Sequence, residues 1–477
     1  MFEMTTHRLL ATQFVPRPRD EVFAFFAAPD NLARLTPPGM RFQFRSDDRA
    51  MRPGLTLDYR LQPMPLVPMP LAWQSRIDRY DPPHGFHDVQ SRGPYRAWDH
   101  HHTFEAVAGG TLVRDEVEYA LPLGPLGDIA HAIAVRPQLT EIFKFRARTI
   151  ESIFELPDAP STRRTIAVAG GTGFVGGGIA RELHRRGHRV VVLSHRGESA
   201  RGPLPDDVEI READVTGEGP LASALVGVDA LVVALAFRNS PMESPRRRQT
   251  FEEVDGAGTE RLIAAARTAG VGQVVYLSGA GAAPDADRHW FRAKWRAEEA
   301  VRSSQLGWTI IRPTWIFGPR DVSLNRFLGF ARSLPFVPLT NTGRQQLAPV
   351  FIDDVARLAA DALEDPAAAC RTFELGGPEV RSMREIIAAA LRAAGIRRPI
   401  LPGPTPLLKL AAWPLTFLPE PPLTPDAVDF VNQPAVVDTA PLLKTMPRRL
   451  MPLQEALGTY LGPGTGPGSL VIDGRPA

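Results

Sequence analysis

The spacing of apolar and polar residues predicts an antiparallel meander over the first part of the chain. Up to about residue 155, short runs with alternating character are separated by Pro and Gly turns. The predicted strands are HRLLATQFV, MRFQFRS, LTLDYRLQ, LAWQSRIDRYD, GFHDVQSR, AWDHHHTFEAV and TLVRDEVEYAL. A short helix after the first strand and a long amphipathic helix at the end carry the remaining apolar positions. Those positions are Val22, Phe23, Phe25 and Phe26 in the short helix and Ile142, Phe143, Phe145 and Ile150 in the long one.

Beyond residue 164 the pattern changes. Short β-branched runs alternate with helical stretches rich in Ala, Arg and Glu, which is typical of βαβ units and a parallel sheet. We therefore predict an α+β domain (an antiparallel sheet with a long C-terminal helix) followed by an α/β domain with a Rossmann-type doubly wound parallel sheet. The expected boundaries are 1–155 for the first domain, 156–164 for a linker, 165–462 for the second domain with a small substrate lobe from about 320, and 463–477 for a Gly/Pro-rich disordered tail.

Composition excludes several classes of function. The 477 residues include 55 Lys and Arg against 53 Asp and Glu, so the net charge of +2 argues against a broad nucleic-acid-binding surface. Cys370 is the single cysteine, which excludes an intrachain disulfide and a Cys-rich zinc or iron–sulfur site. The beginning of the sequence lacks a basic segment followed by an apolar one, and no apolar stretch reaches the ~20 residues that a spanning helix needs. We expect a cytoplasmic protein.

The most specific motif is TIAVAGGTGFVGGGIARELHRRGHRVVVLSHR, residues 165–196. Glycines at 170, 173 and 176 lie between a predicted strand and a predicted helix, where they permit a tight turn, the close approach of a pyrophosphate and close helix–strand packing. A glycine turn that serves packing alone is the alternative. The predicted contacts with the cofactor phosphates are Gly170, Gly171, Thr172, Gly173, Phe174, Val175 and Gly176.

The end of the second strand of this unit bears on the choice of cofactor. An acidic residue there would bind the ribose 2′-hydroxyl of NAD, but the sequence has Ser194, His195 and Arg196. A cation and a hydroxyl suit the 2′-phosphate of NADP(H), which we predict as the preferred cofactor, with NAD(H) as the alternative. Arg196 could equally be a solvated loop residue. We expect Asp214 and Val215, after the third strand, to lie near the adenine.

Several further segments carry a resemblance to a known family. AGGTGFVG, VVYLSGAGA, WFRAKWRAEEAVRSS, WTIIRPTWIFGPRD, LAPVFIDDVARLAADAL and TFELGGPEV resemble the extended or atypical short-chain dehydrogenase/reductase (SDR) superfamily of NAD-dependent epimerases and dehydratases. Within it, the likeness is to the group that contains the NADH-dehydrogenase accessory subunit of SDR type. The resemblance covers residues 165–380 and implies that Pro313 and the loop after it close over the nicotinamide.

One departure from the family pattern leaves the activity open. Catalytic SDR members pair a Tyr with a Lys four residues later, and the Lys lowers the pKa of the phenol. Lys294 matches, as does Ser278 at the family's carbonyl-polarising Ser, but the Tyr position is Trp290, whose indole N–H only donates. The resemblance therefore allows an oxidoreductase that acts on a hydrophobic, quinone- or polyketide-like substrate with Lys294 and Ser278 as catalytic residues. We predict such an oxidoreductase, and the alternative is a non-catalytic NADP(H)-binding module for redox sensing or assembly.

The first region also resembles a known superfamily. NLARLTPPGMRFQF, GPYRAWDHHHTFEAVAGGTLVRDEVEYALPLGPLG and the final helix resemble the SRPBCC (START-like, polyketide-cyclase-like) superfamily over residues 5–155. The resemblance implies a helix-grip fold that binds an apolar small molecule.

Two features have competing interpretations. His100 and His102 share one face of a strand, but without an evident carboxylate or thiolate partner we favour packing and predict no metal site. Residues 399–423 are apolar, with eight prolines that exclude a continuous spanning helix. They form either a lid, or other core packing, or a surface for peripheral membrane contact. The oligomeric state is left open.

Overall fold

The computed structural model describes residues 5–62, 71–107, 110–122, 124–154, 163–217, 219, 221–237, 241, 243–417, 424–461, 469–473 and 475–476. It divides into two compact units, Met1–Leu156 together with Thr459–Ala477, and Pro157–Gly458. Most of the predicted linker and the residues 418–423 lie outside the described residues. Within the described ranges, no helix combines the length and the apolar composition that crossing a bilayer requires.

The first unit begins with seven strands and four helices. The strands are β1 (His7–Val15), β2 (Gln43–Phe44), β3 (Thr56–Leu61), β4 (Leu71–Asp81), β5 (Gly85–Arg92), β6 (Ala97–Val107) and β7 (Gly110–Ala120). The helices are α1 (Arg19–Phe26), α2 (Asn31–Arg34), α3 (Pro125–Ala130) and α4 (Arg136–Phe154). A 3₁₀ helix covers Pro38–Met40, and a π-helix covers His131–Val135 before α4.

The second unit alternates strands and helices, as the sequence predicts. Its strands are β8 (Thr165–Ala169), β9 (Arg189–Ser194), β10 (Glu209–Glu212), β11 (Ala230–Val233), β12 (Gln273–Leu277), β13 (Gly307–Pro313), β14 (Ile316–Phe317), β15 (Val337–Thr340), β16 (Gln346–Leu347), β17 (Val350–Phe351), β18 (Arg371–Leu375), β19 (Arg381–Ser382) and β20 (Ile400–Gly403). Its helices are α5 (Phe174–Arg185), α6 (Leu221–Ala224), α7 (Gly258–Thr268), α8 (His289–Arg302), α9 (Val322–Ser333), α10 (Ile352–Glu364), α11 (Met383–Ala393), α12 (Thr405–Ala412), α13 (Pro425–Val431), α14 (Ala440–Thr445) and α15 (Leu453–Leu461). Short 3₁₀ helices cover Gly197–Ala200, Pro245–Arg247, Pro366–Ala368 and Trp413–Phe417, and a π-helix covers Phe251–Ala257.

The parallel sheet of the second unit has the strand order β10-β9-β8-β11-β12-β13-β18. All six neighbouring pairs are parallel. Its central strands are apolar runs because helices cover both faces, and Val168, Val232 and Val275 are fully buried. The chain reverses direction of winding between β8 and β11. Ligands of open α/β sheets bind outside the carboxyl ends of the strands at such a point.

The first unit ends with two strands that the sequence analysis did not predict. Strands β21 (Ser469–Ile472) and β22 (Arg475–Pro476) extend the antiparallel sheet, whose order is β2-β3-β4-β5-β6-β7-β1-β21-β22. The expected disordered tail at 463–477 is therefore wrong for these residues; residues 462–468 lie outside the described part. The edge of β1 leaves backbone groups that β21 satisfies, and the fully buried Ile472 joins the core beside Leu9.

Helix α4 follows the predicted period but buries a different set of side chains. Phe143 and Ile150 are buried as expected, whereas Ile142 and Phe145 are only partly buried. Arg146 takes a core position instead, since its guanidinium lies 3.5 Å from the buried carboxylate of Asp115 on β7.

Candidate functional site

At two positions in the turn between β8 and α5, no residue larger than glycine fits. Gly170 has φ of 79°, and a Cβ there would lie 2.3 Å from the Ala234 carbonyl oxygen at the end of β11. A Cβ on Gly176 would lie 2.3 Å from the Gly170 oxygen. Both contacts are with backbone, which cannot move aside as a side chain would. The first turn of α5 is thereby held tightly against the end of β8.

The amino terminus of α5 is open to an anion. Gly173 caps the helix in an extended conformation without a side-chain hydrogen bond, and the residue is exposed. No acidic side chain occupies the first turn, which begins with Phe174 and Val175. The first amides of a helix have no intrahelical acceptor and point along its axis, so they favour a phosphate. Thr172 lies between the glycines and is partly buried.

The residues predicted to select the cofactor lie at the same edge of the sheet. Ser194 is the last residue of β9 and is buried, and its hydroxyl accepts a hydrogen bond from the Arg196 amide at 3.2 Å. His195 and Arg196 are exposed. No carboxylate replaces them at the end of β9. Because β9 pairs with β8 up to Leu193 and Ala169, His195 and Arg196 follow the strand that neighbours the glycine turn.

Asp214 and Val215 follow β10 at this edge. Asp214 Oδ1 accepts hydrogen bonds from the Thr216 amide at 2.8 Å and from the Thr216 hydroxyl at 2.7 Å. Partial burial opposes ionisation, but these hydrogen bonds and the nearby His195 lower the pKa of Asp214 below its ordinary value. The Val215 carbonyl accepts a hydrogen bond from Arg261 Nε at 2.7 Å. Both residues have internal partners that hold the loop in place.

Ser278 does not have the surroundings that its predicted role requires. The residue follows β12 and is buried, and its hydroxyl donates to Glu298 Oε1 at 2.6 Å. Glu298 is fully buried on α8 and also accepts two hydrogen bonds from Arg312, at 2.8 and 2.7 Å. A hydroxyl whose proton is committed to a carboxylate cannot polarise a substrate carbonyl. The predicted catalytic role of Ser278 is not supported by this geometry.

Lys294 forms a buried ion pair with a residue that the sequence analysis missed. Its Nζ lies 2.5 Å from Oδ1 of Asp255, which is 2% exposed on the π-helix Phe251–Ala257. Burial lowers the pKa of a lysine, but Asp255 raises that of Lys294 above its ordinary value. The ammonium is thus charged and held on α8. Asp255 could have been suspected as a partner of Lys294, because it is the acidic residue that shares the buried side of this segment with Val254 and Thr259.

A buried tyrosine lies beside this ion pair. The Lys294 Nζ is 5.6 Å from the ring centroid of Tyr276, which is 1% exposed on β12. Burial raises the pKa of Tyr276, so the phenol stays protonated near neutral pH. Its hydroxyl has no hydrogen-bond partner among the described residues. Tyr276 therefore offers no activated phenolate to stand in for the tyrosine that the SDR resemblance predicts at position 290.

Trp290 belongs to an aromatic cluster. It is 3% exposed one helical turn before Lys294, and its ring lies 6.1 Å from Phe251 and 5.5 Å from Phe430. Phe237, Val254 and Ala293 complete the buried part of the cluster. The adjacent His289 is bound to Glu243 at 2.7 Å. The cluster makes an apolar wall next to the ion pair.

Pro313 lies at the same end of the sheet. It is the last residue of β13 and is buried, and its carbonyl accepts a hydrogen bond from the Ala280 amide at 3.0 Å. The residues that the sequence analysis assigned to a cofactor thus lie at the carboxyl ends of β8, β9, β10 and β13, except Lys294, which lies on α8.

Comparison with known proteins agrees with this arrangement. Residues 170–366 match the family model described as NAD(P)H-binding. The chain is 30% identical over 227 residues to the mitochondrial NADH dehydrogenase [ubiquinone] 1 alpha subcomplex subunit 9 of Arabidopsis thaliana, a match that covers 46% of this chain and 55% of that protein. The chain therefore spans little more than half the length of this relative. It is 27% identical over 240 residues to the NAD(P)H azoreductase of Xenophilus azovorans, covering 49% of this chain and 75% of the azoreductase.

The solved structures show the fold alone. The UDP-glucose 4-epimerase of Thermotoga maritima superposes with a TM-score of 0.50 at 17% identity, over 62% of this chain and 97% of the epimerase. The strand order, the glycine turn and the family match lead to one conclusion. The second unit of this chain has a Rossmann-like parallel sheet, and its residues 170–366 are similar to a family of NAD(P)H-binding domains.

Proposed function

We propose that the protein is an NADP(H)-dependent oxidoreductase that acts on a hydrophobic, quinone- or polyketide-like molecule. The observation that carries the proposal is the glycine turn, open at Gly173 and closed to any larger residue at Gly170 and Gly176, at the strand edge where Lys294 and the aromatic wall also lie. The bound cofactor would supply the hydride. The relative named as an azoreductase also reduces with NAD(P)H, by its name.

The residues present fit a dinucleotide. The amides that begin α5 would receive the pyrophosphate, and the exposed His195 and Arg196 would receive a 2′-phosphate, since both sites favour negative charge. Asp214 and Val215 would border the adenine, and Pro313 the nicotinamide. This arrangement supports a preference for NADP(H) over NAD(H).

The substrate side supports an acceptor that needs little proton transfer from the enzyme. Trp290 cannot exchange a proton, Tyr276 is buried and protonated, and the Ser278 hydroxyl is bound to Glu298. A quinone-type acceptor suits such a site because its oxygens can take protons from water. Lys294 would hold the nicotinamide ribose and contribute positive charge, and the wall around Phe251 would contact an apolar substrate.

The same observations favour a second candidate, a non-catalytic NADP(H)-binding module for redox sensing or assembly. In the site, every group that the sequence analysis nominated for proton transfer has an internal partner or is absent. Oxidation of NADPH by the full chain in the presence of quinones and hydrophobic aldehydes separates the candidates. Turnover supports the enzyme, and measurable binding without turnover contradicts it.

Cofactor binding itself is tested by fluorescence titration with NADPH and NADH. We expect Gly173→Glu to abolish binding, because it places a carboxylate at the helix terminus. A Cβ there lies 3.1 Å from the Gly170 oxygen, so the turn must yield by a few tenths of an ångström to accept it. Gly458→Ala, a glycine with no atom within 4 Å of an added Cβ, is the matched control and should bind as wild type. A Gly173→Glu variant that binds with unchanged affinity would overturn the proposal.

We also propose that residues 1–155 have the helix-grip fold of the SRPBCC superfamily and bind an apolar small molecule. The long helix α4 packs on an antiparallel sheet, and aromatic residues line the sheet from Tyr59 and Trp73 to Trp98. Displacement of an apolar fluorescent probe from the full chain by quinones and polyketides is the expected result. No saturable binding of any such compound would contradict the proposal.

Contact of residues 399–423 with a membrane stays a prediction. On α12 and the turn after it, Leu407, Leu410 and Trp413 are exposed by 60% or more, which core packing within this chain does not explain. Co-sedimentation with anionic liposomes, reduced in Leu410→Ser, would support the contact. Absence from the liposome pellet would contradict it.

A further inference from the structure

A second group of chemically competent side chains lies in the middle of the antiparallel sheet. On β5, β6 and β7 the pairing places Asp88 opposite His100 and Asp115 opposite His102. Neighbouring positions two apart on a strand share a face, so all four side chains lie on the same face of the sheet. The sequence analysis found the two histidines but not the carboxylates, which are distant in sequence.

Three of these side chains are arranged like ligands of one ion. Asp88 Oδ1 lies 3.6 Å from His100 Nδ1 and 3.4 Å from His102 Nε2. One ligand atom from each residue lies within 4.8 Å of the other two. Donors around a tetrahedral Zn²⁺, each ~2.0–2.1 Å from the ion, are about 3.3 Å apart. The observed spacings are close to that value.

The outer nitrogens of the histidines face a second carboxylate. His102 Nδ1 lies 2.6 Å from Asp115 Oδ1, and His100 Nε2 lies 3.6 Å from the same oxygen. A histidine that binds a metal usually donates its other N–H to a carboxylate, which orients the ring and increases its basicity. Arg146 approaches both carboxylate oxygens of Asp115, each at 3.5 Å, and balances its charge. Asp115 thus lies where it can orient the two imidazole rings, and Arg146 lies where it can hold Asp115.

The surroundings make an unliganded cluster costly. Apolar clusters flank it on both sides, one around Phe86 and Phe104 and the other around Val117 and Phe143. His100 and His102 are each more than 90% buried, and the buried His100 Nε2 has no hydrogen-bond partner among the described residues. Buried charged groups in proteins are paired or coordinate metals. The two histidines therefore lie in largely apolar surroundings, with the partly buried Asp88 beside them.

We propose that Asp88, His100 and His102 bind one divalent transition-metal ion, with Zn²⁺ as the ion that this ligand set and spacing suit best. Two imidazoles and one carboxylate form a three-ligand set that leaves a fourth position for water or for an oxygen of a bound molecule. The site lies in the first unit and does not depend on the dinucleotide site of the second.

Titration of the chelator-treated full chain with Co²⁺ tests the proposal, because tetrahedral Co²⁺ has an intense visible spectrum. We expect one equivalent to bind with that spectrum, Zn²⁺ to displace it, and His102→Gln to abolish it. If circular dichroism shows that His102→Gln does not fold, Asp88→Asn serves instead, since it keeps the size of the ligand and removes its charge.

Two other groups of potential ligands supply the control. His87, Asp99 and His101 form a more exposed group, and His7, His131 and Asp473 form another. The His101→Gln variant changes the neighbour of His102 on the same strand and should retain the spectrum. Loss of the spectrum in His101→Gln with retention in His102→Gln, retention in both, or no uptake by the full chain would overturn the proposal.

Asp115 is a positioning residue in this arrangement. Asp115→Asn should weaken Co²⁺ binding about 10–100-fold while the visible spectrum at saturation keeps its shape, because the three ligands remain. A Co²⁺ spectrum of changed shape in Asp115→Asn would indicate a changed coordination geometry. It would contradict the inference that Asp115 is not itself a ligand.

Discussion

The two sheets of this protein place their polar chemistry differently. In the parallel sheet, the central strands β8 and β11 are mostly apolar, and the groups suited to a cofactor lie at the carboxyl ends of β8, β9, β10, β12 and β13. In the antiparallel sheet, ionisable side chains lie in the middle of a buried face, at Asp88, His100, His102 and Asp115. In the parallel sheet the polar groups lie at the edge, whereas in the antiparallel sheet they lie within the sheet itself.

The difference has a physical origin. Helices cover both faces of the parallel sheet, so a charge in the middle of a strand would be shielded from water. The charged Arg312, next to the last residue of β13, is paired with Glu298 and Glu374. In an antiparallel pair, residues directly opposite each other are close enough for a carboxylate to face an imidazole. Cross-strand pairing therefore permits a polar cluster in the middle of the sheet of the first unit. In the second unit, the comparable polar groups lie at the ends of the strands.

The largest expected effect concerns the ion pair at the edge of the parallel sheet. Lys294→Met leaves Asp255 buried, and Asp255 Oδ2 has no hydrogen-bond partner among the described residues. We expect the free energy of unfolding to fall by about 3–5 kcal/mol. Urea denaturation measures the loss, and Lys294→Met with Asp255→Asn should recover most of it. A single variant as stable as wild type would show that the pair is not buried as described.

The next effect depends on pH. Asp321 caps α9 and accepts hydrogen bonds from the amides of Ser323 and Leu324, yet burial raises its pKa to about 7. Between about pH 4 and 7 the unfolded chain loses this proton and the folded chain keeps it, so the residue makes stability fall as pH rises. Above pH 7 the buried, ionised Asp321 lowers the free energy of unfolding by its full amount, and below pH 4 it does not lower it.

Asp321→Asn removes that cost and keeps a good cap. The variant should be more stable than wild type by about 2–4 kcal/mol at pH 8, and equally stable near pH 4. Urea denaturation of both proteins across this range gives the difference. A difference that does not change with pH would mean that Asp321 is ionised in the folded chain throughout.

A smaller effect tests the backbone contacts at the strand edge. Gly176→Ala places a Cβ 2.3 Å from the Gly170 oxygen, so the turn must shift. We expect a loss of about 1–3 kcal/mol in stability together with weaker NADPH binding. Gly458→Ala, where the added Cβ meets no atom within 4 Å, should be neutral or stabilising by up to about 1 kcal/mol. Equal behaviour of the two variants would contradict a tight turn.

The smallest effect is expected in the middle of the antiparallel sheet. Burial opposes ionisation of Asp115, but Arg146 and His102 hold its pKa well below the usual range. Arg146→Met removes one of these partners, and His102 Nδ1 remains 2.6 Å away. We therefore expect a loss of only about 1–2 kcal/mol by urea denaturation. If Arg146→Met lowers the free energy of unfolding as much as Lys294→Met does, His102 does not compensate the charge of Asp115 and Arg146 is its main partner.

Local patterns predicted much of both units. Strands β1, β4, β5 and β6 have the bounds that the alternation of residues indicates, because alternation and turn residues act over a few positions. The glycine spacing likewise indicated the turn before α5, because the close contact of Gly176 with Gly170 lies within seven residues of chain. The contact of Gly170 with Ala234 is the exception, since Ala234 is distant in sequence. The prediction of a tail at the end of the chain was wrong because β21 is stabilised by β1, more than 450 residues earlier in the chain.

The sequence by itself determined the two kinds of sheet, the glycine turn at the head of α5 and the presence of a tryptophan at position 290, where catalytic members of the resembled SDR superfamily have a tyrosine. Only the tertiary structure decided that Lys294 meets Asp255, that Ser278 meets Glu298, and that carboxylates from β5 and β7 face the histidines of β6. The first set depends on periodicity and local sterics, which are contained in short stretches of chain. The second depends on packing and strand register, which bring together groups from distant stretches and satisfy buried charge only in the folded protein.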